Sequence, residues 1–316
     1  MDASIQTFNL ITVLGHTAGG KTRFAACLAD KLGGEVISAD SRQVYRRMNL
    51  GTGKDYGDYL VDDRPVRFHL VDIQEPGYEY NVYEYQKDFL RVYGDILKRD
   101  SLGVLCGGSG LYIEAVLNGY RLIRVPVNHS LRKELEQKSM EELRAVLASI
   151  RNLHNKTDIE NRKRLIRALE IEFYYKENPK LDDNYPDINP LVLGISFDRN
   201  SRRDRISRRL HERLKEGLVE EVEGLLSEGI SPEKLIYYGL EYRYIAEFLG
   251  GKKDYEEMVS GLETAIHQFA KRQMTWFRGM ERKGMKIHWL EGYLPLEEKI
   301  TRALELFKNP TEPGSS

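Results

Sequence analysis

With 316 residues, 41% hydrophobic and 31% charged, the chain has the length and make-up of a folded protein of one large domain or two smaller ones. Its net charge of −1 excludes a globally basic nucleic-acid binder, so any basic surface must be local. No run of about 18 apolar residues and no basic-then-apolar leader points to a membrane, and two distant cysteines, Cys27 and Cys106, make no redox pair or metal knuckle and suit a reducing cytoplasm.

The first apolar run, FNLITVL at 8–14, reads as a strand, and GHTAGGKT follows it at 15–22 ahead of a helical pattern at 20–32. The loop fits G-x-x-x-x-G-K-[ST]. In that strand–loop–helix, the backbone N–H groups of Gly15, His16, Thr17, Ala18, Gly19 and Gly20 turn around phosphate oxygens, and the helix N-terminus adds a favourable field. Lys21 is expected to reach the outer phosphate and Thr22 to bind Mg²⁺. A bound phosphate is the expectation, whichever molecule carries it.

The next strand, EVISA at 35–39, delivers Asp40 and Ser41 at its C-terminal end, where parallel sheets bind ligands. An Asp there serves as a general base or caps the following SRQVYRRM segment, and taken alone the cap is the commoner role. A strand at 67–73 carries Asp72, placed like the acid that helps hold Mg²⁺ in an ordinary NTPase. A nucleotide kinase satisfies the pattern to this point.

Helices at 82–99, 110–118, 202–228 and 254–282 alternate with strands at 102–106, 191–197 and 286–290. This rhythm predicts an α/β fold, a P-loop NTPase-like parallel sheet flanked by helices. Residues 120–189 break it: they are highly charged, helical in pattern, and run into the loop KENPKLDDNYPDINP. They are expected to form a mostly helical insertion in a catalytic core made of 1–119 and 190–316, with NPTEPGSS as a disordered tail. Two basic stripes stand out at helical spacing: Lys163, Arg164 and Arg167, and Arg202, Arg205, Arg209 and Arg213. Both suit a phosphate backbone, although many such stripes are only solvated faces.

GHTAGGKT followed by ISADSRQVYRRMNLGTGK at 37–54 resembles the tRNA dimethylallyltransferases (tRNA isopentenyltransferases), whose pattern runs GPTASGKT, DSRQVY and GTAK. The resemblance continues through HLVDIQEP, CGGSGLYIEAVLNG, NRKRLIRALEI, RISRRLHERLKEGLVEEV and AKRQMTWFR, and spans 13–278. It implies that the cradled phosphate belongs to dimethylallyl diphosphate, and that the acceptor is the N6 amine of the adenosine 3′ of the anticodon. It further implies that Asp40 takes the amine proton, that Thr17 and Thr22 donate hydroxyl hydrogen bonds to the diphosphate, that Arg209 clamps the diphosphate from the other side, and that Ser109 stands at the reacting adenine. By the same resemblance Asp40, Ser41, Arg42, Gln43, Lys163, Arg164, Leu165, Ile166, Arg167, Lys271 and Arg272 contact a tRNA anticodon stem-loop. The metal is Mg²⁺ on Thr22, with Asp72 as a second candidate ligand, and a cytoplasmic monomer is expected.

Departures include His16 for Pro, Gly19 for Ser, His267 for Arg and GLEYR at 239–243 for GYR, which mark a divergent bacterial-type member. An enzyme that prenylates free AMP, ADP or ATP shares the loop and the base, but needs no basic insertion. A tRNA-binding protein without catalysis does not account for the intact set of Lys21, Thr22, Asp40 and Arg209.

Overall fold

The computed structural model describes residues 8–150, 160–178 and 185–309. The expected tail from 310 onward, and 179–184 of the proline-containing loop, lie outside these residues. Two compact units are present, one of residues 1–120 with 187–316 and one of 121–186.

The larger unit is built on a six-stranded parallel sheet in the order β5-β2-β6-β1-β7-β8. The strands are β1 (Leu10–Gly15), β2 (Glu35–Ser38), β5 (Phe68–His69), β6 (Gly103–Gly107), β7 (Pro190–Ser196) and β8 (His288–Glu291), while β3 (Leu60–Val61) and β4 (Arg64–Pro65) form a separate antiparallel pair. β1, β2 and β6 are buried along their whole length. That is why they read as unbroken apolar runs rather than alternating ones. This is the P-loop NTPase-like fold.

Helices cover both faces. One layer contains α1 (Lys21–Leu32), whose Phe24, Ala25 and Leu28 pack with Ile11, Val13 and Val104. On the other face lie α2 (Val82–Leu97), α3 (Gly110–Leu117), and a C-terminal set of α7 (Arg199–Lys215), α8 (Leu218–Ser227), α9 (Pro232–Tyr238), α10 (Leu240–Leu249) and α11 (Tyr255–Arg282). The last helix, α12 (Leu296–Lys308), packs Ile300 and Ala303 into the α1 side. Asn81 with Glu84, and Asp254 with Glu257, make capping boxes that start α2 and α11. On α11, Met258, Leu262, Ile266, Ala270, Met274 and Phe277 repeat at spacings of three and four, which gives the helix one buried stripe.

Two expected elements differ. The single helix at 202–228 is α7 and α8, split at Gly217, whose φ of 102° is a conformation that continues neither helix. The strand at 67–73 is only Phe68–His69, because Leu70 and Asp72 both have positive φ. The sheet order has a consequence for Asp72. β5 is three strand spacings from β1, roughly 14 Å, and the Asp72 carboxylate is bound by buried Lys54 at 2.5 Å.

The smaller unit contains α4 (His129–Leu135), α5 (Met140–Ile150) and α6 (Arg162–Glu177). Its core is Leu135, Leu143, Leu147, Leu165, Ile166 and Leu169. Asn161 caps α6 through its side chain, accepting from Arg164 N at 3.2 Å.

Candidate active site

Three loops converge at the C-terminal edge of the sheet, because β1, β6 and β2 are adjacent and parallel. The loop after β1 is the phosphate cradle, that after β2 brings Asp40, and that after β6 lies between them with Ser109. The approach is close: a Cβ on Gly107 would stand 2.2 Å from Ala39 O, so only glycine fits. Ser109 N donates to Ala39 O at 3.2 Å and its Oγ accepts from Ser41 N at 3.0 Å, which stitches the second and third loops together.

In the cradle, Ala18 and Gly20 have φ of 59° and 72°, and Gly20 stands at the N-cap of α1 with no side-chain cap. The first-turn N–H groups of α1 therefore face outward with a positive helix end behind them. Lys21 Nζ donates to His16 O at 2.7 Å. Burial pulls the Lys21 ammonium down to about 8; Cys106 and Asp40 resist the fall and Arg209 adds to it. Lys21, Arg209 and Asp40 thus share one electrostatic neighbourhood. The hydroxyls of Thr17 and Thr22 have no hydrogen-bond partner among the described residues.

His16 is fully buried, its ring edge-on to Phe197, and its Nδ1 donates to Thr17 O at 2.7 Å. Burial, against the hydrogen bond to Thr17, lowers its pKa to about 4, so it is neutral and adds no charge to the cradle.

Asp40 Oδ1 accepts from Arg42 N at 2.9 Å, and among the described residues no donor reaches its Oδ2. The following residues form turns rather than a helix. Asp40 thus caps a turn with one oxygen and leaves the other without a donor among the described residues. The Arg42 guanidinium lies over the Tyr237 ring at 5.0 Å. Gln43 is less available than expected: its Oε1 accepts from Ser38 Oγ at 3.2 Å and its Nε2 donates to Gly53 O at 3.1 Å. It braces the 49–55 loop rather than standing ready to read a base.

α7 lines the opposite side of the cradle. Arg205 Nε donates to Ala18 O at 3.0 Å, and one turn later Arg209 Nη2 reaches Gly53 O and Asp55, each at 3.3 Å. Glu221 on α8 accepts from the N–H groups of Asn49, Leu50 and Gly51, which fixes the loop that Arg209 touches.

Asp72, expected as a second metal ligand, is engaged otherwise: Lys54 and Tyr56 hold its carboxylate, which follows the edge strand β5, three strands from the β1 that leads to Thr22. In the smaller unit the expected contact residues divide. Lys163 and Arg164 are exposed, but Leu165 and Ile166 are core residues of that unit and present nothing to a nucleic acid. Arg167 is also committed internally, to Glu170 and, at 2.8 Å, to Val125 O. Lys271 and Arg272 on α11 are exposed.

One residue that sequence reasoning missed is Gln273. Buried on α11, it accepts from Thr17 N and donates to Gly108 O, each at 2.9 Å, so one amide ties the phosphate cradle to the Ser109 loop. Its signal was a polar residue on the apolar stripe of α11, within AKRQMTWFR.

The family model for IPP transferase matches residues 43–280, about three-quarters of the chain. The chain belongs to the IPP transferase family. It is 58% identical over 293 residues to tRNA dimethylallyltransferase 2 of Bacteroides fragilis, covering 93% of this chain and 96% of the relative. Against tRNA dimethylallyltransferase 1 of Parabacteroides distasonis it is 56% identical over 305 residues, covering 96% and 99%. Among solved structures it is similar to the full-length tRNA isopentenylpyrophosphate transferase from Bacillus halodurans, with a TM-score of 0.69, 30% identity, and coverage of 96% and 98%. A eukaryotic dimethylallyltransferase acting on tRNA superposes with a TM-score of 0.78 at 20% identity, covering 98% and 81%, and bears on the fold. The matched family range begins after the phosphate cradle and Asp40, so those residues stand on their own geometry. This IPP transferase family member is an enzyme, and among its described residues no helix is long and apolar enough to cross a membrane.

Proposed function

We propose that the chain transfers a dimethylallyl group from dimethylallyl diphosphate to the N6 amine of the adenosine 3′-adjacent to the anticodon in tRNA, releasing pyrophosphate. The observation that supports it best is the convergence of a half-free carboxylate, Asp40, with Lys21 and Arg209 at one sheet edge in a chain of this family. The adenine nitrogen attacks the allylic carbon, forming N–C as the C–O bond to the diphosphate breaks. Asp40 Oδ2 accepts the amine proton. The departing pyrophosphate gathers negative charge, and Lys21, the cradle N–H groups and Arg209 stabilise it. Ser109, held against Ser41, stands between base and leaving group and orients the adenine.

Mg²⁺ fits these residues as a guest of the diphosphate rather than of the protein. The described residues hold no cluster of three His, Cys, Asp or Glu side chains, but the Thr22 hydroxyl at the helix start offers one hard oxygen. Mg²⁺ ordinarily takes one or two protein ligands beside phosphate oxygens. When bound it neutralises charge on the leaving group. The basic residues Lys163, Arg164, Lys271 and Arg272 contact the tRNA backbone.

The test is nucleoside mass spectrometry after incubation with Mg²⁺ and dimethylallyl diphosphate, with unmodified tRNA in one reaction and AMP, ADP or ATP in others. N6-dimethylallyladenosine in the tRNA digest alone is expected. Product from free nucleotide alone would overturn the tRNA assignment, and ATP turnover without prenyl transfer would overturn the reaction.

A further inference from the structure

Beside the phosphate cradle lies an open cavity of about 390 Å³ that reaches Ala18 and is lined by Arg205, Arg208, Arg209 and Arg213 of α7. Asp55, Glu212 and Glu216 bring three negative charges to the same cavity. Of these only Asp55 comes within 4 Å of Arg209 or Arg213 among the described residues. One carboxylate, itself 57% exposed, is therefore shared between two guanidiniums.

Arg213 is the less satisfied of the two. Its side chain is only 11% exposed, and it lies 3.7 Å from Asp55, beyond hydrogen-bonding distance. Its Nη2 is buried and has no hydrogen-bond partner among the described residues. A buried guanidinium with an unused donor is costly, and such groups are ordinarily paired. Gly53 lies directly against the two guanidiniums. A Cβ on Gly53 would stand 2.3 Å from Arg209 Nη2 and 2.7 Å from Arg213 Nη2, so the two guanidinium tips meet over a residue that has no side chain. Burial, and next the neighbouring Arg209 charge, lower the Arg213 pKa to about 10, which still leaves it charged at neutral pH.

Two like charges pressed together, with only Asp55 within 4 Å among the described residues and Glu241 and Glu216 acting on Arg213 from further away, form a socket for an anion with more charge than a carboxylate and more than one acceptor oxygen. Arg205 links the same helix to Ala18 O, so the socket opens onto the cradle itself. We propose that Arg213 is a second arginine of the diphosphate site: its free Nη2 takes a terminal oxygen of the diphosphate and of the pyrophosphate product, and Asp55 is the counter-ion that this anion displaces. The inference rests on the reading of the cradle as a diphosphate site, and assigns this arginine to the small substrate rather than to the tRNA backbone.

Inorganic pyrophosphate, titrated by calorimetry with Mg²⁺ present, tests it on the full chain and on Arg213→Met, Arg213→Lys and Asp55→Asn. Arg213→Met is expected to raise the pyrophosphate Kd at least tenfold while tRNA affinity stays within twofold, and Arg213→Lys to recover only part of the loss. Asp55→Asn, at an exposed position, is expected to tighten pyrophosphate several-fold, and it remains a test if the Met variant fails to fold. Pyrophosphate binding equally well to the wild type and to every variant would overturn the role of Arg213 alone. A loss of pyrophosphate and tRNA binding together in both Arg213 variants, with Asp55→Asn unchanged, would make it a structural residue. No binding of pyrophosphate to the wild type would overturn both this inference and the diphosphate cradle.

Discussion

Gln273 lies 256 residues from Thr17 and accepts its backbone N–H at 2.9 Å. The same side chain donates to Gly108 O, so one amide ties the loop after β1 to the Ser109 loop. Replacing it by Leu leaves a buried N–H and a buried carbonyl without partners, at about 1–3 kcal/mol each. Gln273→Leu is expected to lower the melting temperature by several degrees and kcat by ten- to a hundredfold. Gln273→Glu keeps the acceptor for Thr17 and loses the donor for Gly108, and should fall between. Kinetics below the melting transition check this; unchanged kcat in a destabilised Leu variant would reduce Gln273 to a packing residue.

Asp40 has one oxygen in a turn and one free. Asp40→Asn keeps the acceptor for Arg42 N and removes the proton acceptor. It should therefore bind dimethylallyl diphosphate with an unchanged Kd yet transfer prenyl 10²- to 10⁴-fold more slowly. Single-turnover rates with saturating tRNA measure this. Near-normal turnover in the variant would remove Asp40 from the mechanism.

Lys21 predicts a pH dependence of its own. Burial lowers its ammonium from the ordinary 10.5 to about 8, so the folded protein without diphosphate releases this proton early. A bound diphosphate pulls the pKa back up, and binding then takes up a proton at any pH between those two values. Affinity for dimethylallyl diphosphate should be flat between about pH 7 and pH 8, above the ligand's own last proton near about pH 6, and fall by up to tenfold per unit above pH 8. Lys21→Arg, charged throughout, should bind less well at pH 7 but lose little more by pH 9.5. Calorimetry at constant ionic strength checks both profiles; an equally steep fall in the Arg variant would assign the proton to another group.

The smaller unit is organised around a buried carboxylate. Burial raises the pKa of Glu170, but hydrogen bonds from Arg132, Arg167 and Asn128 N outweigh it and bring the carboxyl down to about 2. A folded value below the ordinary 4.5 contributes stability that is present in full above pH 4.5 and lost as pH falls toward 2. The contribution is on the order of 3 kcal/mol. Glu170→Gln leaves two guanidiniums short of a counter-charge and is expected to raise amide exchange across 121–186 at pH 7, with exchange in the larger unit unchanged. Acidifying the wild type from pH 5 to 3 should do the same. Protection unaltered in the variant would mean that packing of Leu135, Leu143, Leu165 and Leu169 holds this unit alone.

What the chain order disclosed and what it hid follow from the range of the interactions. The strands before Gly15 and Asp40 are buried on both faces, so local composition alone marks them, and the loop after β1 carries its chemistry in eight consecutive residues. β5 is shorter than the apolar run at 68–73 because Leu70 and Asp72 turn the chain with positive φ. Asp72 looked like a metal ligand by its place at a strand end, yet its partner Lys54 is 18 residues away and its sheet position is the edge. Gln273 and Arg213 were hidden differently. Nothing in their own neighbourhood says that Thr17, Gly108 or Gly53 will be beside them; only the folded sheet edge supplies those partners.

The basic stripe on α6 is where this matters for tRNA. Helical spacing places Lys163, Arg164 and Arg167 on one face, but Arg167 is committed to Glu170 and Val125 O, whereas Lys163 and Arg164 are exposed. Reversing Lys163 and Arg164 together to Glu is expected to weaken tRNA binding about tenfold at 0.1 M salt and to flatten the dependence of log K on log salt by about one to two. Reversing Arg167 alone should instead destabilise the smaller unit, because a second negative charge would face the buried Glu170 where a cation now pairs with it. Filter binding of unmodified tRNA across a salt series, beside thermal melts of each variant, separates the two effects. An unchanged salt slope in the Lys163/Arg164 variant, with intact melts, would return that face to solvent and leave Lys271 and Arg272 on α11 as the cationic contacts.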